Sequence, residues 1–319
     1  MKRFLLAALA VLITAPAFAQ DKFPSKPVTL VIPFQAGGPT DLIGRMLAED
    51  LTKKWGQQVI VRNMPGAGSQ TGTEYVARAV PDGYTLGIAI SAHYINPAVR
   101  KKMPYDTEKD LTGITIFGMT QVMMIAKPDF PANDLQGVIA EAKKRPNGLS
   151  YAVAGGLGSS THLAGELLAQ MAGIKLRAIS YPGSPDALND LAGGLVDIMF
   201  DPWSSARGQF ESKRIKVIAN ASSTPVEGHP EFDSIPKHFP GYDAPSIQGI
   251  IAPGKTPKPI LDKLEADFRD VILRGAAGPK LKDFGMVPVA STAAEYNATI
   301  SREIKKWSET AQKAGISLD

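Results

Sequence analysis

The chain of 319 residues holds no cysteine. That absence excludes disulfides, thiolate catalysis and Cys-ligated zinc or iron–sulfur clusters, and it suits an exported protein that avoids mispairing. Charge of one sign is also scarce: 35 Lys and Arg face 31 Asp and Glu, dispersed along the chain. No basic block is available to track a nucleic-acid backbone. Beyond the N-terminal region no stretch reaches the ~20 apolar residues that a membrane span needs. Enzyme signatures are scarce too. There is no G-x-S-x-G elbow and no P-loop, and the glycines Gly66, Gly68 and Gly72 are spaced one residue too far for G-x-G-x-x-G. His93, His162, His229 and His238 lie on separate segments without metal-ligand spacing, so neither metal nor cofactor is expected.

What is present is a composition with 44% hydrophobic and 21% charged residues, enough for one large or two medium globular domains. The N-terminus reads as a signal peptide spanning residues 1–19. Lys2 and Arg3 precede an apolar run over residues 4–13, followed by Pro16 and the small-x-small triplet Ala17-Phe18-Ala19. Cleavage after Ala19 is expected, leaving Gln20 first in a nearly neutral chain in a bacterial periplasm.

In the mature region, β-rich runs alternate with amphipathic stretches. Strands are expected over residues 28–34, 59–61, 84–90, 114–126, 151–154, 176–180, 196–200, 215–219 and 247–252. Helices are expected after Pro39, over 71–79, 135–144, 161–171, 184–191, 259–273 and 295–313. In the last of these, Tyr296, Ile300, Ile304, Trp307 and Ala311 share a face. Residues 222–242 read as loop. The alternation argues for an α/β fold with largely parallel sheets covered by helices.

In such folds ligands lie beyond the carboxyl ends of strands, where five loops qualify: residues 33–41 (PFQAGGPTD), 91–95 (SAHYI), 154–162 (AGGLGSSTH), 181–185 (YPGSP) and 201–205 (DPWSS). They share Gly, small hydroxyls and aromatics, and none contains Lys or Arg. A helix start supplies unpaired N–H groups and about half a positive charge, which suits an anion without a cationic side chain. Each loop also has a plainer reading: Gly37-Gly38 and Gly155-Gly156 as turns, Ser159, Ser160 and Thr161 as helix caps, and His162 as a capping or packing residue. Recurrence of one vocabulary at several strand ends favours a shared cleft.

The same residues resemble a known family along the mature chain, the Bug receptors or TctC-like substrate-binding proteins of tripartite tricarboxylate transporters. Residues 31–34 (VIPF) with Gly37-Gly38 and Thr40-Asp41 are similar to its VVPFPPGG-TD signature. Residues 63–68 resemble NRPGAG, 81–86 PDGYTL, 95–98 INPA, 104–110 PYDPEKD and 162–167 HLAGEL, and later blocks follow in order at 181–184, 196–201 and 252–257. The departures are Gln35-Ala36 in place of Pro-Pro and Trp203 where smaller residues are common.

The resemblance implies a two-lobed periplasmic binding protein of Venus flytrap, type II-like architecture with hinge crossover strands. Lobe 1 would comprise residues 20–121 and 246–319, and lobe 2 residues 122–245. It implies capture of a small carboxylate for membrane permease subunits of a transporter, or for a sensor, by a monomer. Ligand contacts are expected at Phe34, Gly37, Gly38, Thr40, Asp41, Ser91, His93, Ala154, Gly156, Ser159, Ser160, His162, Tyr181 and Asp201. The competing reading is a periplasmic serine hydrolase using Ser159 or Ser160 with His162.

Overall fold

The computed structural model describes residues 23–318, so the expected leader and its cleavage point lie outside the described residues. The first half of the chain runs β1 (Val28–Ile32), α1 (Pro39–Trp55), β2 (Val59–Asn63), α2 (Gln70–Ala77), β3 (Thr85–Ala89), α3 (Ala92–Val99), β4 (Leu111–Thr120), β5 (Val122–Ala126), α4 (Leu135–Lys144) and β6 (Leu149–Ala154). It continues with α5 (Ser160–Ala172), β7 (Leu176–Tyr181), α6 (Ser184–Ala192), β8 (Ile198–Pro202), α7 (Trp203–Glu211), β9 (Lys216–Asn220) and α8 (Ile235–His238). Last come β10 (Ser246–Pro253), α9 (Lys258–Arg274), α10 (Ala277–Asp283), β11 (Val287–Pro288) and α11 (Ala293–Ala314).

Local chemistry explains most of these boundaries. In α1, Pro39 opens the first turn and Ile43, Leu47 and Leu51 face the core. Gly56 closes the helix in the left-handed region, its N–H donating to the Thr52 carbonyl. The α5 helix starts where the Ser159 hydroxyl accepts from the His162 N–H. The α11 helix opens on a capping box between Thr292 and Glu295 and buries Tyr296, Ile300, Trp307 and Ala311, as its periodicity predicts.

The strands form two sheets, in the orders β11-β4-β10-β3-β1-β2 and β7-β6-β8-β5-β9. The expectation of largely parallel sheets is corrected: β10 runs antiparallel to both β3 and β4, and β5 antiparallel to both β8 and β9. The physical reason is the chain path. The segment expected as one run over 114–126 is two strands, β4 in the first sheet and β5 in the second, parted at Gln121. The chain returns from β9 to β10, and outgoing and returning strands must run against each other. Three further elements, α7, α10 and β11, were not expected. In addition, α3 begins inside the 91–95 loop, and α8 interrupts the 222–242 loop.

The result is a two-lobed α/β protein whose apolar cores differ in reach. One lies within lobe 1 around Leu30, Ile43, Leu47 and Phe268, and one within lobe 2 around Met123, Leu188 and Trp203. The third crosses between lobes, joining Val31, Tyr94 and Trp307 to Leu163 and Leu168. The α11 helix makes this bridge, packing on α3 and β4 in one lobe and on α5 in the other.

Candidate ligand site between the lobes

The carboxyl ends of β1 and β3 in lobe 1, and of β6, β7 and β8 in lobe 2, carry the five loops. In the β1–α1 loop, Phe34 packs partly against the lobe 1 core, and Gly37 adopts φ of 88°, a left-handed conformation that a side chain would strain. Gly38 caps α1 without a side-chain bond, and Thr40 is half-buried in the first turn. Asp41 is buried and organises this loop. Its Oδ2 accepts from the Gly37 N–H and from Arg45 Nε, both at 2.9 Å, and its Oδ1 accepts from Asn63 Nδ2 at 2.8 Å. Asn63 Nδ2 also donates to the Phe34 carbonyl at 3.0 Å. The hydrogen bond from Arg45 holds the Asp41 pKa down to about 2, against the opposing effect of burial and with help from Gly37 and Asn63. Asp41 is thus spent on holding the loop, and Arg45 and Asn63 are functional partners that sequence reasoning missed. Arg45 stands four residues after Asp41, a spacing that places both on one helix face.

Ser91 is buried, its Oγ accepting from the Tyr94 hydroxyl at 2.6 Å and from the Ile247 N–H at 3.2 Å. It ties the start of α3 to the crossover strand β10. His93, two residues further on, is 2% exposed, and neither ring nitrogen has a hydrogen-bond partner among the described residues. Burial lowers its pKa to about 4, so the ring is neutral at pH 7.

In lobe 2, the β6–α5 loop passes Ala154 and Gly156 to the start of α5. Thr161 Oγ1 donates to the Ala154 carbonyl at 3.1 Å, and the Ser159 hydroxyl is engaged by Thr161 and by the His162 N–H. The Ser160 hydroxyl makes no hydrogen bond among the described residues. His162 Nδ1 accepts from the Gly158 N–H at 2.9 Å, while Nε2 lies 3.6 Å from Glu166 Oε1. Burial lowers the His162 pKa to about 4. The ring therefore packs and holds the loop, and it forms no pair with Ser159 or Ser160. The serine-hydrolase constellation is not assembled.

Tyr181 donates its hydroxyl to Asp190 Oδ2 at 2.8 Å, which turns it onto α6. Asp201, at the end of β8, is completely buried. Ser184 Oγ donates to its Oδ1 at 2.5 Å, whereas Oδ2 has no close hydrogen-bond partner among the described residues. Burial pushes its pKa up to about 7, against the pull of the Ser184 and Ser205 hydroxyls. Trp203, singled out for its size, is a core residue packed against Phe210, His229 and Phe232.

These residues fall into two groups by sheet, Phe34 to Asp41 with Ser91 and His93 beside the first and Ala154 to His162 with Asp201 beside the second, and of them only Pro39 lines either of the two cavities that follow. Between the lobes lies a cavity of about 440 Å³ lined from both sides, by Pro39 and Met286 of lobe 1 and by Ser204 and Ser205 of lobe 2, with Gln121 between. A groove of about 750 Å³ on lobe 1 reaches Thr29 and Thr85, at the amino ends of β1 and β3, away from the cleft. Among the described residues no group of three or more His, Asp or Glu is placed to hold a metal ion.

Residues 43–316 match the model of the tripartite tricarboxylate transporter family receptor. The chain belongs to this family. A UPF0065 protein from a Pseudomonas species, encoded in the tcbD–tcbE intergenic region, is 31% identical over 96% of this chain and 92% of its own length. Among solved structures, the periplasmic binding protein BugD is 32% identical with a TM-score of 0.73, over 92% of this chain and 99% of that one. R. palustris Rpa4515, solved with adipate, is 29% identical with a TM-score of 0.76, over 92% and 99%. The two solved structures share the α/β architecture of this chain. Among the described residues no helix is long and apolar enough to cross a membrane.

Proposed function

We propose that the chain is a periplasmic receptor that captures a small organic acid in the cleft and delivers it to the permease subunits of a tripartite tricarboxylate-type transporter. The observation that carries this reading is the start of α5. Ser160 and Thr161 are its first two residues, whose N–H groups have no intrahelical acceptor, and the Ser160 hydroxyl beside them is uncommitted. Together with the helix dipole they form a neutral donor cluster for a carboxylate. The adipate in the related Rpa4515 structure supports the ligand class. Gly38 and the backbone of the Asp41-held loop would close over the ligand from lobe 1. Asp41, Ser91, His162 and Tyr181 would act by positioning the loops. The chain bends at Gln121 and returns by residue 246, dividing the lobes there.

Titration calorimetry with adipate and its diamide tests the recognition. The acid should bind at least tenfold more tightly, because an amide NH₂ would face N–H donors. Equal affinities would overturn it. Small-angle scattering at saturating acid should show a more compact particle, since ligand held by both walls favours the closed state. Mass analysis of exported protein should find Gln20 first; a mass retaining residues 1–19 on most molecules would remove the periplasmic assignment.

A further inference from the structure

The two lobes are fused along one side of the cleft and parted along the other. On the fused side, α11 packs on α3 and α5, Gln170 Nε2 donates to the Thr310 carbonyl at 2.9 Å, and the Leu318 side chain presses against Gly158. On the parted side, between the start of α1, α10 and α7, lies the chamber of about 440 Å³. That volume falls within the ~300–1,000 Å³ typical of small-molecule pockets. It adjoins the carboxylate wall at two points. Pro39 follows Gly38, and Ser205 acts on the Asp201 carboxyl at the end of β8, a strand hydrogen-bonded to β6 and so about 4.8 Å from it.

Its lining brings the apolar Trp203, Val226, Phe284, Met286 and Val287 together with the neutral Gln121, Ser204 and Ser205. Of its charged lining residues, Arg207 is paired with Glu211 at 2.7 Å and Lys282 with Glu227 at 3.6 Å, and Asp283 stands beside Lys282. A short, hydroxyl-rich acid held at α5 would leave these apolar walls wet.

We propose that the chamber is the subsite for the body of the ligand, so that this receptor selects organic acids carrying an aromatic ring or a chain of about six carbons over short hydroxy acids. The inference rests on the carboxylate reading of the α5 start and extends it to specificity. Each methylene moved from water to an apolar wall raises affinity roughly fourfold, so two of them are worth on the order of tenfold.

The test is calorimetry of butanoate, hexanoate, benzoate and malate against the wild-type protein and Ser204→Trp. Hexanoate and benzoate should bind on the order of tenfold more tightly than butanoate, with malate weakest. Ser204→Trp, which narrows the chamber from an exposed position, should reduce the preference for hexanoate and benzoate over butanoate. Equal binding of butanoate and hexanoate to the wild type overturns the subsite while the carboxylate reading stands. That comparison needs no variant and decides the matter if Ser204→Trp fails to fold. No binding of any of the four acids overturns both readings.

Discussion

Asp41, in the first turn of α1, and Asp201, in the last residues of β8, are both buried carboxylates near the carboxyl ends of strands, yet their surroundings are opposite. Asp41 receives hydrogen bonds from Gly37, Arg45 and Asn63, and its pKa falls to about 2. Asp201 meets only the hydroxyls of Ser184 and Ser205, its Oδ2 has no close hydrogen-bond partner among the described residues, and its pKa rises to about 7. Burial alone does not determine what a carboxylate does; the donors around it do. The lobe 1 carboxylate is an ionised structural pin. The lobe 2 carboxylate holds its proton across the range in which free aspartate has lost it, and at neutral pH it stands poised between its two forms beneath the starts of α6 and α7.

The largest expected effect comes from breaking the pin. Asp41→Ala leaves the Gly37 N–H and the Asn63 amide without their acceptor, and a hydrogen bond to a charged group is worth ~1.5–3 kcal/mol. Arg45 is 49% exposed, so its share of the ion pair is screened and adds little. A loss of about 2–3 kcal/mol in urea unfolding is expected, with weakened acid binding from a loosened loop. Unchanged stability would show that the β1–α1 turn stands without Asp41. The pH dependence follows the shift. With a folded pKa below the unfolded value of 3.8, the Asp41 contribution is present above pH ~4 and is lost as pH falls toward 2.

Asp201 has the opposite sign. Its folded pKa lies above 3.8, so the contribution of its bound proton is fully present below pH ~4 and is lost as pH rises through about 7. Asp201→Asn should remove that slope and raise stability at pH 8 by on the order of 1 kcal/mol, since no buried charge then forms. Urea midpoints at pH 5 and pH 8 for wild type and variant read this out. A variant that tracks the wild type at both pH values would mean that the carboxyl does not titrate in this range. His93 and His162 must be allowed for in the same window. Both are buried neutral with pKa values lowered to about 4, so their contribution is lost as pH falls from about 6.5 toward 4.

How much of this was legible in the sequence depended on whether the cause was local. The β1 strand and α1 helix are visible because a run of buried apolar residues, Pro39 and a left-handed glycine at position 56 act within one turn of chain. The cap at Ser159 is visible for the same reason. Mixed pairing was not, because β10 reaches β3 and β4 from more than a hundred residues away, and no local pattern marks which neighbour a buried strand will choose. Nor was the role of Asn63, which reaches Asp41 only because β1 and β2 pair in parallel with Ile32 opposite Asn63. The α3 helix was also missed; it is eight residues long and carries Pro97, a residue that disfavours helix interiors. The cleft loops could be chosen from composition, but the division between residues that hold a loop and residues left free for a ligand could not. Asp41, Ser91, His162 and Tyr181 each turn out to have an internal partner.

That division predicts the smallest effect, within a single pair of neighbours. Ser159 and Ser160 have the same side chain one residue apart, and composition treats them alike. The Ser159 hydroxyl caps α5, accepting from the His162 N–H and meeting Thr161 Oγ1 at 3.1 Å. Ser160 is the first helical residue, and its hydroxyl is uncommitted. Ser159→Ala should therefore cost about 1 kcal/mol of stability, the usual value of an N-cap, and weaken acid binding only through a looser helix start. Ser160→Ala should leave stability within ~0.5 kcal/mol and weaken acid binding roughly tenfold, the value of one hydrogen bond to a charged group. Thermal unfolding without ligand and calorimetry with adipate separate the two outcomes. If the stability loss falls on Ser160 and the affinity loss on Ser159, the carboxylate is held from the cap side of the loop. The donor cluster at the start of α5 would then have to be redrawn around Ser159 and the N–H groups before it.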